Sequence, residues 1–222
     1  GDTDSVFLTH DEAKVARFAE EVERRVGLEI KPDAIYKRIL FTEAKKRYAG
    51  LLPDGRVEIV GLEVARGDWC EAAKKVQEKV IEMVLKEGDP WKAAEYVRRW
   101  VEDFKAGKFT MEDVTIWKTI TKPIEEYEVR APHVEAAKRL MAKGWKLTYG
   151  DKVGYVIVKG AGKLYQRAEP YFMVSQEDVD VDYYVENQVI PAALRILSIF
   201  GIDKKRLGVG KKEGLLRFFE AG

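Results

Sequence analysis

A chain of 222 residues with 46% hydrophobic and 11% aromatic content can bury a substantial core, which excludes a disordered or fibrous protein. Its 39 basic and 38 acidic residues leave a formal charge of +1, so the whole-molecule field attracts neither nucleic acid nor anionic lipid, and any such binding must come from local segregation of charge. The single cysteine, Cys70, excludes an internal disulfide, and no signal peptide or apolar run of membrane length is visible, so a cytoplasmic protein without a membrane role is expected.

In chain order, "GDTDSVFLTH" comes first, with Asp2 and Asp4 one apart ahead of an apolar run. Val6, Phe7 and Leu8, bounded by Thr9, His10 and Asp11, have the pattern of a short buried strand. Thr9 and Glu12 form a capping-box pattern, and Val15, Phe18, Ala19 and Val22 recur on one face, which predicts a helix over 10–26. Strands are expected at 28–30, 39–41, 47–51 and 57–60, with Pro53-Asp54-Gly55 as a hairpin turn, giving a small mixed sheet with a covering helix.

Asp68 and Glu71 repeat the capping-box pattern, and Val76, Val80, Met83 and Val84 make a helical stripe that ends at Gly88. Asp89 and Pro90 then open another helix, with Ala94, Val97, Val101 and Phe104 facing inward. Further helices are expected from Pro132 to Gly144 and from Asp182 to Phe200, the last kinked by Pro191, with a strand at 155–158 and a loop in "GAGKLYQRAEP". The basic, glycine-punctuated tail from Ile202 reads as mobile. His10 and His133 lack metal-ligand spacing, and the glycines near Gly208 and Gly210 follow a helix rather than a strand. No nucleophile elbow, P-loop or dinucleotide fingerprint is present.

Three stretches could carry chemistry. Residues i and i+2 of a strand share a face, so Asp2 and Asp4 could approach one magnesium site, or could be only solvated charge at a chain end. Lys45, Lys46, Arg47 and Tyr48 put positive charge beside an aromatic ring, suited to phosphate contacts on a duplex or to the solvated face of an edge strand. Leu215, Phe218 and Phe219 would stand together on a helical turn, either as a partner surface or folded back onto their own domain.

In order and spacing these stretches resemble the C-terminal part of archaeal family B DNA polymerases over almost the whole chain. "GDTDSVFL" is similar to palm motif C, "KKRYAG" to the KKxY element, "GLEVARGDW" to the entry of the thumb, and "APHVEAAKRL", "YVIVKGAGK", "RAEP" and "DYYVENQVIPAALRIL" to the thumb itself. "KEGLLRFF" looks like a sliding-clamp-binding box.

The resemblance implies an α+β fold: a partial palm over 1–66, a mostly helical thumb over 67–207, and a tail over 208–222 carrying the clamp box. It implies that Asp4, with Asp2 as its companion, ligates catalytic magnesium, two ions in the complete site, while Thr3 and Ser5 support them. It places Lys45, Lys46, Arg47 and Tyr48 along primer-template DNA just behind the active site, and Thr119, Thr121, Lys122, Lys163 and Arg167 along the duplex backbone in the thumb. Glycines in "GAGK" agree, since they allow close approach of main chain to phosphate.

Motif A, motif B and an editing exonuclease have no counterpart in the sequence. The resemblance therefore implies the small subunit of a split polymerase, inactive alone, that meets deoxynucleoside triphosphates only together with a large polymerase subunit; a fragment of a longer chain is the competing origin. Gly67 stands where a second arginine is common, and Lys212 replaces the usual glutamine of the clamp box beside Leu215, Phe218 and Phe219. A nucleoid-associated cytoplasmic location follows. The rivals are a glycosyltransferase, which would need a nucleotide-binding domain ahead of the D-x-D, and a non-catalytic DNA-binding adaptor that recruits the clamp.

Overall fold

The structure, a computed structural model, describes residues 5–208. Asp2, Thr3 and Asp4 of the motif C resemblance and Lys212, Leu215, Phe218 and Phe219 of the clamp box lie outside the described residues. The chain divides into two compact units, Gly1–Leu62 and Glu63–Gly222.

In the first unit, helix α1 (Glu12–Val26) starts two residues later than the Thr9 pattern predicts. Its N-cap is Asp11, whose carboxylate accepts from Lys14 N at 3.1 Å, and Gly27 ends it in the left-handed region. Strands β1 (Arg38–Phe41), β2 (Tyr48–Leu51) and β3 (Val57–Val60) form an antiparallel meander. The expected mixed sheet is thus wholly antiparallel, because both connections are tight turns too short for a parallel crossover. Gly50 in β2 is obligatory: a Cβ there would lie 2.3 Å from the Tyr36 ring, which crosses the strand and donates from its hydroxyl to Glu58 at 2.7 Å.

Three expectations fail in this unit. Residues 6–8 form no strand, and Val6 and Leu8 are each 46% exposed, while Phe7 alone finds cover against Phe41 and Tyr48. Residues 28–30 are likewise irregular, with Leu28 61% exposed. The helix covers no core, since none of its residues is buried. All three share a cause: an apolar pattern sets which side of an element should be hidden, and these described residues supply nothing to hide it against.

The second unit has a helical core. Helix α2 (Glu71–Glu82) runs through a π turn, Met83–Glu87, to Gly88, and α3 (Pro90–Lys105) follows with Asp89 accepting from Lys92 N at 2.9 Å. Val76, Val80, Ile81, Val97 and Phe104 are buried as the helical spacing requires, each such side chain contributing about 1.5–3 kcal/mol on removal from water. The N-cap of α2 is Cys70 rather than Asp68, because Asp68 is engaged by Arg66. Cys70 is fully buried, and burial pushes its thiol up to about 12, so it is an inert packing residue.

After a capped single turn, α4 (Met111–Val114), strand β4 (Ile116–Thr119) opens a second antiparallel sheet with β5 (Lys152–Ile157) and β6 (Ala168–Pro170). Helix α5 (Pro132–Ala142) packs on β5 and β6. Strand β4 was not expected, and the "GAGKLYQRAEP" segment is a loop only as far as Lys163, continuing into a 3-10 turn at Leu164–Arg167 and then β6.

The final helical run comprises α6 (Val181–Tyr184), a π turn at Val185–Val189 and α7 (Ile190–Leu197). Pro191 cannot donate an i−4 hydrogen bond, and the π turn that precedes it shifts the ladder by one residue. Tyr184, fully buried, accepts from Ile157 N at 2.9 Å and so ties this run to β5. A buried polar knot ties α2 to α7: Gln77 donates to Glu63 at 2.6 Å and to Ala192 O at 2.8 Å, and Arg195 donates to Glu63 at 3.2 Å. The start of the tail is not loose, because Ile202 and Leu207 are both 1% exposed.

Candidate nucleic-acid interface

In the first unit, Lys45 and Lys46 form the tip of the β1–β2 turn, exposed to solvent. Thr42 closes that turn, its N–H and hydroxyl both donating to Arg47 O, at 3.2 and 3.1 Å. Lys46 has φ +60°, the left-handed region, and is the only non-glycine residue there among those described. Its carbonyl presses so closely on Gly61 that a Cβ at 61 would lie 2.1 Å away. The turn therefore thrusts two ammonium groups outward on a backbone held from both sides. Tyr48 is turned the other way: half-buried, its ring meets Phe7 at 5.2 Å and Phe41 at 6.1 Å.

In the second unit, Thr119 ends β4 with its side chain exposed, and Thr121 and Lys122 follow. Tyr127, which the sequence reading missed, organises them. Its hydroxyl accepts from Thr121 N at 2.9 Å and lies 3.2 Å from the Thr121 hydroxyl, while Lys122 Nζ sits 5.1 Å above its ring. Five residues separate Thr121 from Tyr127, and no periodic pattern marks such a pairing.

Lys163 stands at the end of an exposed loop in which Gly160 has φ +141° and Gly162 φ +108°. A Cβ on Gly162 would meet Gln166 Oε1 at 2.7 Å, the same oxygen that accepts from Lys163 N at 2.7 Å. The glycine thus lets the loop close tightly while the Lys163 side chain stays in water. Arg167 is differently placed: its guanidinium pairs with Asp180 at 2.5 Å, both side chains about a fifth exposed, and its buried Nε has no partner among the described residues. Most of its charge is therefore spent inside the fold.

The first unit thus offers Lys45 and Lys46 on one turn, and the second offers Lys122 and Lys163 on two separate turns beyond opposite ends of β5, each held in shape by its own hydrogen bonds. Such an arrangement can meet phosphates without reading bases. A sequence model described as DNA polymerase family B matches residues 1–200. The chain belongs to that family. Among similar proteins, DNA polymerase 2 of Aeropyrum pernix is 52% identical over 223 residues, and a DNA polymerase of Archaeoglobus fulgidus is 41% identical over 238. These matches cover 100% and 99% of this chain but only 28% and 30% of the relatives, so the chain spans less than a third of their length. The solved family B DNA polymerase of the hyperthermophilic archaeon Pyrobaculum calidifontis is similar in structure, with a TM-score of 0.71 and 52% identity, covering 91% of this chain and 26% of that one.

Among the described residues no group of three or more His, Cys, Asp or Glu side chains could hold a metal ion, and no helix is long and apolar enough to cross a membrane.

Proposed function

We propose that this segment serves template-directed DNA synthesis by supplying motif C through Asp2 and Asp4 and a duplex-holding thumb through residues 67–207, while a large polymerase subunit carries motifs A and B. The observation that carries the reading is the family match across residues 1–200, joined to basic turns held in shape by their own hydrogen bonds. Support for a large neighbour comes from the first unit, where α1 has no buried residue and Val6, Leu8, Leu28, Ile35 and Phe41 are exposed.

Each residue then has a task. Lys45 and Lys46 reach phosphates of the primer-template duplex behind the active site, and Arg47 lies beside them. Tyr48 holds the turn from within. Thr119, Thr121, Lys122 and Lys163 line the duplex backbone in the thumb, and Arg167 shapes that surface through Asp180. Asp4, with Asp2 beside it, offers carboxylate oxygens, the donors that magnesium takes; two carboxylates are fewer than magnesium's six oxygen ligands, so partner residues and substrate complete the set. When bound, magnesium supplies Lewis-acid chemistry for nucleotidyl transfer from a deoxynucleoside triphosphate. Lys212, Leu215, Phe218 and Phe219 are the residues through which the tail would engage a sliding clamp.

The test is primer extension by the reconstituted assembly. Asp4→Ala should lower synthesis by orders of magnitude while duplex affinity stays within about twofold. Full synthesis by that variant would favour the adaptor, and extension by the wild-type chain alone would end the shared-site reading.

A further inference from the structure

Four aromatic rings of the second unit form an unbroken line on its surface. Trp117 lies 5.4 Å from Tyr171, Tyr171 5.3 Å from Phe172, and Phe172 5.4 Å from Trp145. Trp117, Phe172 and Trp145 are 41%, 49% and 52% exposed. The line is built in rather than left over. Gly154 lies opposite Trp117 in the sheet, and a Cβ there would come 2.9 Å from Trp117 and 3.0 Å from Tyr171, so bare backbone makes room for the first two rings. A contiguous aromatic surface of this kind marks a binding site.

Charge indicates what binds. Lys143 and Lys146 flank Trp145, and Lys152 lies opposite Thr119, two residues along β4 from Trp117 and so on the same face. All three lysines are exposed, and no described carboxylate pairs with them, whereas nearby Lys138 and Arg139 are matched to Glu135 and Glu169. Aromatic rings interleaved with uncompensated lysines suit a ligand that offers flat π faces and negative charge together, which is unpaired nucleic acid. A duplex keeps its base faces stacked on one another and would leave the rings unused.

We propose that Trp117, Tyr171, Phe172 and Trp145, with Lys143, Lys146 and Lys152, form a stacking platform for single-stranded DNA. The inference rests on the nucleic-acid-facing placement of Thr119 proposed above, and extends it from duplex backbone to unpaired bases.

The test uses the full chain, a fluorescent oligothymidylate of about 12 nucleotides and a blunt hairpin duplex, read by anisotropy at low salt. The paired variants are Trp145→Ala with Phe172→Ala, and Trp145→Leu with Phe172→Leu, the second keeping apolar bulk without a π face. Both should weaken oligothymidylate binding by about tenfold or more and leave hairpin affinity within twofold, with unchanged circular dichroism confirming the fold. Absence of oligothymidylate binding by the wild-type chain, full binding by either variant, or an equal loss on both probes overturns the platform. Self-association that disappears in the alanine pair while oligothymidylate binding persists would assign the patch to a second copy and also overturn it. Loss of oligothymidylate binding in both variants, with no hairpin binding by any form of the chain, would uphold the platform and refute the duplex-holding thumb.

Discussion

Gly154 shows how much one missing methyl group decides. Because Trp117 and Tyr171 both lie against its backbone, Gly154→Val should force the rings apart and cost about 1–3 kcal/mol of stability, measurable by denaturant unfolding. Asp68 illustrates the electrostatic counterpart. Hydrogen bonding from Arg66, with the charges of Arg66 and Lys118, holds its carboxyl below the ordinary value of 3.8. The folded state therefore binds fewer protons here than the unfolded chain does, so the contribution is fully present above 3.8 and is lost as pH falls through the lower folded value. Asp68→Asn should remove that part of the acid sensitivity, flattening the fall in melting temperature below pH 3.8 while leaving its slope at neutral pH unchanged.

Turns and helices carry the next level of argument. Lys46 occupies a conformation that costs a side chain about 1 kcal/mol and that glycine adopts freely. Lys46→Gly should therefore stabilise the β1–β2 turn slightly, by about 0.5–1 kcal/mol, while weakening duplex binding through the lost charge. Stability and affinity moving in opposite directions, seen in paired melting and titration experiments, is the signature of a strained residue kept for its side chain. Helix α1 tests the same logic by burial. With good caps and no buried residue, its amides should exchange faster than those of α2 in the isolated chain, since tertiary packing supplies most helix stability. On the proposed shared-site reading, addition of a large polymerase subunit should slow the α1 amides and leave α2 unchanged.

For the molecule as a whole, near neutrality is the informative property. With a formal charge of +1, the proposed affinity for duplex DNA must come from the local basic turns rather than the overall field. Binding should then weaken with salt with a log-log slope of roughly 0.9 per phosphate neutralised. Replacing both Lys122 and Lys163 with alanine should reduce that slope by about two contacts without altering preference among duplex sequences. An affinity indifferent to salt would contradict the phosphate-contact reading.

Local patterns determined a good deal of this protein unaided. The helical stripes of α2 and α3, the caps at Asp89 and Gly88, the hairpin at Pro53-Asp54-Gly55 and the family resemblance all depend on residues close in sequence, where spacing and turn chemistry leave few alternatives. Tertiary structure decided the rest, because it turns on partners that spacing cannot reveal. Val6, Phe7 and Leu8 have the composition of a buried strand yet form none, only Phe7 finding cover, and Asp68 cannot cap α2 because Arg66 holds it. Arg167 has the charge of a phosphate ligand, but Asp180, thirteen residues on, takes up its guanidinium. The aromatic line joins residues 117, 145, 171 and 172, which only the folding of three strands and the segment beyond α5 brings together. A side chain's type sets what it can bind, and its neighbours in space settle whether that capacity is already spent.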